Sequence, residues 1–306
     1  MTDATHDGAP LSVSTPSAAR RRLGLRLKAA RDAAGVRLEV AAAAIQRSGP
    51  TLSRLENGRA IPRVVDVKAL LEFYVSRNPA AVRPSAADEF VMLAERAREP
   101  EWFTSYGDVL GGQMTSDDSK RYVEFENDAL GIRTYEPATI PGLLQTKAYA
   151  AALTELVFPD AEADDRARFV EFRLARQHVL NRSSEPLQFD AIIGEATIRR
   201  AIGGPSVMEE QLRSLLAEID DGHDNVTVRI APLTLSVRAA FGGPFVLMDL
   251  PDGEGLLYLE VPGVSQYRQG KEDIDQFVQL FRELSDAVAD RAASRKIIEG
   301  VLEALR

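Results

Sequence analysis

The chain has 306 residues, 45% hydrophobic and 27% charged, with a net charge of −9 and no cysteine. That length suits about two domains of roughly 150 residues each, and the lack of cysteine excludes disulfides, cysteine metal sites and thiol nucleophiles together. No apolar run reaches the ~20 residues of a membrane helix. The opening MTDATHDGAP lacks the apolar core of a secretory signal, and His6, His178 and His223 are too scattered to ligate a metal.

The charge is unevenly spread. Residues 1–80 carry 13 Lys+Arg against 7 Asp+Glu, a net of +6, and the remainder carries a net of −15. A basic front joined to an acidic remainder points to nucleic-acid binding in front and a different task behind. Arginine outnumbers lysine 31 to 6, which we attribute to codon usage rather than chemistry.

Residues 1–19 are too poor in large apolar side chains to offset ordering entropy and read as a disordered tail. Over 20–34, Leu23, Leu27, Ala30 and Ala34 recur at helical spacing, and Gly35 follows as a C′ residue. Residues 38–45 form a short helix with Val40, Ala41, Ala44 and Ile45 inward. A third helix covers about 49–57, stopped by Asn57-Gly58. A fourth, about 64–75, turns Val64, Val67, Leu70, Leu71 and Tyr74 inward, and a fifth runs over 87–98. Residues 20–98 are therefore predicted to be a five-helix domain.

Residues 99–118 read as a linker whose Trp102, Phe103 and Tyr106 dock on a neighbour. From 119 to 306 the pattern mixes. Strands are expected at RTYEP (133–137), LQFDAIIG (187–194), VTVRI (226–230), FVLMDL (245–250) and LLYLEV (256–261), the last two closed by PDGEG as a hairpin. Helices are expected near 146–157, 164–181 and from Ser206 to Asp220, the last opened by a Ser206–Glu209 capping box. Two more are expected on Ile274, Phe277, Val278, Phe281, Leu284 and Val288, and on Ile297, Ile298, Val301, Leu302 and Leu305. The fold class is an all-α helix-turn-helix N-terminal domain joined to an α+β C-terminal domain.

Residues 38–57 have the layout of a helix-turn-helix, two short helices and a tight turn, the second helix presenting its first turns to the major groove. Ala42 and Ala43 allow a close crossing. Leu52 and Leu55 face the core and leave Thr51, Ser53 and Arg54 outward. Pro50 is tolerated in a first helical turn, where its missing N–H has no partner, with Ser48 or Gly49 as N-cap.

The run LKAARDAAGVRLEVAAAAI, followed by SRLENGRAIPRVVDVKALLEFY, resembles the Cro/CI-type (XRE-family) helix-turn-helix over roughly residues 23–75. The resemblance implies a structural salt bridge between Arg31 and Glu56. It implies base contacts from Gly49, Pro50, Thr51 and Arg54, of which only Arg54 keeps a long polar side chain able to take a guanine. The family usually has glycine where this chain has Gln46. Arg47, Ser48, Ser53, Asn57, Arg59 and Arg63 are the candidate phosphate contacts.

From about 119 to 300 the chain resembles the C-terminal domain of actinomycete WhiJ-like regulators, through IPGLLQT (140–146), RQHVL (176–180), VMEEQL (207–212), NVTVRIAP (225–232), GGPFVLMDL (242–250) and LYLE (257–260). The resemblance implies a regulatory domain and a small partner protein encoded nearby, in an antitoxin-like arrangement. Read from the residues, Leu143, Leu144 and Gln145 are a buried loop anchor or a partner contact. Glu195, Arg199, Tyr258 and Glu260 are candidate pocket residues beside strand ends. Arg168, Arg173 and Arg176 read as a solvated, salt-bridged helix face.

No nucleophile elbow, phosphate loop, dinucleotide fingerprint or zinc-protease motif is present. The acidic pairs Asp117-Asp118, Asp164-Asp165 and Asp220-Asp221 are sequence neighbours, which point apart on a helix. The expected protein is thus a non-enzymatic, cofactor-free transcriptional regulator of double-stranded DNA, a homodimer, cytoplasmic on the nucleoid, and controlled by a partner protein or a small-molecule effector. The rival is an antitoxin-like module that chiefly holds its partner.

Overall fold

The computed structural model describes residues 18–83, 86–98, 101–182, 186–251, 253, 255–261 and 264–305. The tail expected at residues 1–19 lies outside the described residues up to position 17. The chain divides into two units, Met1–Glu99 and Pro100–Arg306.

The described residues of the first unit form five α-helices: α1 (Ala18–Ala33), α2 (Leu38–Ala44), α3 (Gly49–Glu56), α4 (Val64–Arg77) and α5 (Ala87–Arg96). Its core takes Leu23 and Leu27 from α1, Leu52 from α3, and Val67, Leu70 and Tyr74 from α4, all fully buried. The expected inward face of α2 needs correction. Ala41 and Ala42 are buried, whereas Val40 is 38% exposed and Ala44 is exposed. Four consecutive alanines look alike on every face, so periodicity does not choose among them.

The first three helices end alike. Gly35 and Val36 donate to Asp32 and Arg31 carbonyls, Gln46 and Arg47 to Ala43 and Ala42, and Gly58 and Arg59 to Leu55 and Arg54. Each is a Schellman closure, which places its C′ residue in the left-handed region. Gly35 and Gly58 adopt φ +65° and +69° without strain, and Gln46 adopts φ +56° as the one described non-glycine residue with positive φ. The turn therefore keeps its shape with glutamine in a glycine position. A side chain on Gly24 would place Cβ 2.3 Å from the Glu56 carbonyl oxygen, so α1 rests directly on the backbone at the end of α3.

The second unit is built on a six-stranded sheet in the order β3-β2-β1-β4-β5-β6. Strands β1 (Gly131–Glu136), β2 (Gln188–Gly194) and β3 (Val226–Ala231) are parallel. β4 (Phe245–Asp249), β5 (Gly255–Val261) and β6 (Val264–Arg268) continue from β1 as an antiparallel meander. Met248 pairs with Leu256 across the expected hairpin, whose turn residues Asp252 and Glu254 lie outside the described residues. β6 was not foreseen: VSQYR is short and mostly polar, and it pairs only at the edge of the sheet.

Side chains alternate between two cores with period two. Ile132, Ala191, Ile193, Val246, Met248 and Leu256 enter one core, and Tyr135, Ile192, Phe245, Leu247 and Leu257 the other. Helices α8 (Lys147–Val157), α11 (Pro205–Asp221) and α13 (Arg291–Ala304) feed the first core, and α12 (Lys271–Ala287) feeds the second. The remaining helices are α6 (Gly107–Leu110), α7 (Asp117–Asp128), α9 (Ala163–Ala175) and α10 (Glu195–Arg199).

Three expectations change here. The segment expected as a linker folds with the second unit: Trp102 stacks on Phe172 at 5.8 Å, and Phe103, Val109 and Leu110 are buried with Phe169. The helix expected over 164–181 breaks after Ala175 into a 3₁₀ turn, Arg176–Asn181. The Ser206–Glu209 capping box does not form, because α11 starts at Pro205 with Gly204 as N-cap and Ser206 already inside the helix.

Candidate nucleic-acid interface and candidate pocket

Helix α3, expected from the sequence to read DNA, is capped by Ser48, whose Oγ accepts from the Thr51 N–H at 3.4 Å and lies 2.9 Å from Thr51 Oγ1, with Pro50 in the first turn. Leu52 and Leu55 are buried, and Arg54 is exposed on the opposite side. The C-terminal half is pinned by Arg31, whose Nε and Nη2 donate to the two carboxylate oxygens of Glu56 at 2.7 and 3.0 Å. Arg31 Nη1 also donates to the Val36 carbonyl at 3.0 Å. Glu56 is 5% exposed. One guanidinium thus ties together α1, the α1–α2 turn and the end of α3.

The other singled-out residues differ in availability. Pro50, Arg54, Arg59 and Arg63 are exposed, and the three arginines form no ion pair among the described residues. Arg47 is engaged instead: its Nε donates to Asp66 at 3.0 Å. Asn57 Nδ2 donates back to the Ser53 carbonyl at 2.7 Å and touches Ser53 Oγ at 3.4 Å, closing the helix end. Gly49 is half-buried because a Cβ there would lie 3.8 Å from Glu39 Cγ. Glu39 on α2 therefore stands beside the reading edge. Sequence reasoning missed it because the approach comes from tertiary packing, though its place in the first turn of the preceding helix was a signal.

In the second unit, a cavity of about 300 Å³ opens at one end of the sheet. Thr134, Glu136, Tyr258 and Glu260 share strand parity with the first core, so the two carboxyl groups lie on the same face at the carboxyl ends of β1 and β5. β1 is where the parallel half of the sheet meets the antiparallel half, and such switch points leave a crevice outside the strand ends. Tyr122 from α7, Phe172 and Arg173 from α9, and Gln145 from the loop after β1 complete the wall.

The loop 140–146 is the anchor expected from its sequence. Ile140 N–H donates to the Tyr149 hydroxyl at 3.2 Å, Gln145 Nε2 to the Ile140 carbonyl at 2.8 Å, and Gln211 Nε2 to the Leu144 carbonyl at 2.8 Å. Amide side chains thus supply the partners that a buried loop backbone lacks. Leu143 and Leu144 are buried in the core and do not line the cavity, whereas Gln145 does.

The three arginines of α9 and its 3₁₀ extension separate. Arg168 is the solvated residue expected, bonded to Asp108 and Glu171. Arg173, still within α9, and Arg176, just past its end, turn inward instead, against expectation, and both line the cavity. Arg176 makes a bidentate pair with Glu126 at 2.7 Å for both bonds. Burial works against its charge, but Glu126 outweighs that and holds it protonated. Arg173 has a neutral partner, Gln145 Oε1 at 2.9 Å, and its Nε is buried with no hydrogen-bond partner. Burial lowers its pKa to about 10. Burial likewise pushes Glu136 up to about 8, opposed by the Thr134 hydroxyl and reinforced by Glu260.

The other two candidate pocket residues are elsewhere. Arg199 bonds Glu195 through Nε at 2.8 Å, and Glu195 accepts from the Leu233 N–H at 2.8 Å. Glu195 and Arg199 fasten a loop to α10 and do not meet Tyr258 and Glu260. Among the described residues, no helix is long and apolar enough to cross a membrane, and no three potential ligands gather to hold a metal.

Two family models match the chain. One, described as a domain of unknown function (DUF5753), covers residues 119–300, and one described as a helix-turn-helix domain covers residues 22–76. No curated protein and no solved structure matches significantly.

Proposed function

This chain belongs to the family of that domain of unknown function (DUF5753) and carries a helix-turn-helix domain in front of it; we propose that it is a DNA-binding transcriptional regulator of XRE type, without catalytic activity, controlled through its second unit. The observation that carries this reading is α3: a capped eight-residue helix, pinned by Arg31–Glu56, with Arg54, Arg59 and Arg63 exposed beside it and in no ion pair among the described residues. The helix enters the major groove. Arg54 reads a base, Thr51 and the apolar edge of Gly49-Pro50 add contact, and Glu39 accepts from a cytosine amino group where one is presented. Arg59 and Arg63 hold phosphates with Ser48, Ser53 and Asn57. Arg47 joins them only by exchanging Asp66 for a phosphate.

A reading edge with so few polar groups draws part of its selectivity from DNA shape. It also favours a homodimer, with two such helices about 34 Å apart on successive grooves. The second unit is the controlling half, WhiJ-like in its motifs, and responds to a small molecule or a small partner protein. The setting is cytoplasmic, on the nucleoid.

Gel shift against the DNA upstream of its own gene tests the reading. Arg54→Ala relaxes sequence preference, whereas Arg59→Ala weakens binding to every sequence and lowers the salt slope by about one. No binding by the wild type to any DNA at low salt overturns it. The depleted Gly49-Pro50 edge and the occupied Arg47 favour a second reading, an antitoxin-like module whose first task is to hold a partner protein. Tight copurification with a small protein, together with loss of only nonspecific DNA binding in Arg59→Ala, selects that reading.

A further inference from the structure

The cavity at the carboxyl ends of β1 and β5 brings Arg173, Glu136 and Glu260 together, and no ion pair closes among the three within the described residues. Arg173 makes no ion pair among the described residues, and its Nε is a buried donor without an acceptor. Buried donors are rarely left so, because the loss of hydration goes unrepaid. In the same cavity, Glu136 has only the Thr134 hydroxyl at 3.3 Å as a described hydrogen-bond partner, and neither Glu136 nor Glu260 pairs with a cation among the described residues. The neighbouring Arg176–Glu126 pair shows that this fold closes an ion pair where it needs one for structure. Arg173 and Glu136 share a cavity and do not close on each other. Tyr122, Phe172 and Tyr258 line the same cavity, and the Arg173 guanidinium lies 5.3 Å from the Phe169 ring centre.

We propose that this cavity binds a small amino-acid-like zwitterion, its carboxylate on Arg173, its ammonium between Glu136 and Glu260, and its apolar body against Tyr122 and Phe172. The assignment rests on the second unit being the controlling half of the regulator, and it names the ligand class that half responds to. A guanidinium and two carboxyl groups in one cavity select a molecule carrying both a carboxylate and an ammonium, and a carboxylate answers the planar donor edge of a guanidinium best. Aromatic faces favour an ammonium as well as an apolar body. A volume of about 300 Å³ suits a single-ring compound and stands at the small end of ligand sites. The raised pKa of Glu136 fits a carboxyl group that waits for a cation, since an ammonium beside it restores the ionised form.

The test is calorimetric titration of the full chain with three probes: L-phenylalanine, phenylacetate and phenethylamine, each to about 10 mM. L-phenylalanine is expected to bind at least about tenfold more tightly than either single-charge probe. Arg173→Gln lowers the affinity for L-phenylalanine at least about tenfold and leaves phenethylamine unchanged. Glu136→Gln, which keeps the shape of the side chain, lowers it while sparing phenylacetate, and it carries the test if Arg173→Gln fails to fold by circular dichroism. The proposal falls if L-phenylalanine shows no heat of binding, if either single-charge probe binds as tightly, or if both substitutions leave its affinity intact. Gel shift is read separately. Ligand binding without DNA binding overturns the regulator reading alone, and DNA binding without ligand binding overturns this proposal alone.

Discussion

Arg31→Met is the most informative perturbation of the first unit. It leaves Glu56, whose side chain is 4% exposed, without the cation that donates to both its oxygens at 2.7 and 3.0 Å. It also strips the Val36 carbonyl of its side-chain donor. A buried carboxylate left alone costs about 3–5 kcal/mol. Glu56→Leu is milder. Arg31 is 12% exposed, keeps Asp32 at 2.8 Å and reaches water, so the expected cost is roughly 1.5–3 kcal/mol. The double variant Arg31→Met/Glu56→Leu removes both desolvation penalties and is expected within about 1 kcal/mol of the wild type. The coupling energy of the cycle then exceeds about 2 kcal/mol. The chain has one tryptophan, Trp102, packed in the second unit, so its fluorescence does not report the first. Amide hydrogen exchange in α1 and α3 of the full chain is the suitable assay. Single substitutions that each cost less than about 1 kcal/mol, or a double variant that costs their sum, refute the pinning role assigned to the pair.

Three further outcomes are expected. Gln46→Gly relieves a left-handed residue worth about 1–2 kcal/mol but adds unfolded-chain entropy, so slower exchange in α2 and α3 by about 0.5–1 kcal/mol is predicted, and faster exchange counts against it. Gly24→Ala gains about 1 kcal/mol of helix propensity yet drives Cβ into the Glu56 carbonyl, so a net loss of roughly 1–3 kcal/mol is expected by the same assay. For Glu136, the folded pKa of about 8 lies above the unfolded value, so the folded state binds more protons between them and stability falls as pH rises through that window, by at most about 1.4 kcal/mol per pH unit. Melting temperatures from pH 5 to 9 should show Glu136→Gln nearly equal to the wild type at the acid end and more stable at the alkaline end. A constant gap across the range contradicts the burial of that carboxyl.

The sequence by itself determined the glycine closures of the first unit, five of the six described strands and the pinning pair. Local rules set them: Gly35 and Gly58 mark left-handed closures, near-continuous apolar runs such as FVLMDL mark strands buried on both faces, and Arg31 and Glu56 sit at a spacing that a known motif explains. Where local signal was flat, tertiary structure decided. The four alanines of α2 look alike until α3 and α4 choose Ala41 and Ala42. The linker over 99–118 looked polar and glycine-rich until Phe169 and Phe172 captured its aromatic residues. The pocket shows the limit most clearly. Gln145, Tyr258 and Glu260 were read as candidates, and Glu195 and Arg199 were wrongly joined to them, because closeness to a strand end is visible in one dimension and direction is not. Strand parity puts Glu136 and Glu260 on one face, and the packing of α9 brings Arg173 into the same cavity. Charges more than thirty residues apart acquire a shared function only when the sheet fixes which side each one faces.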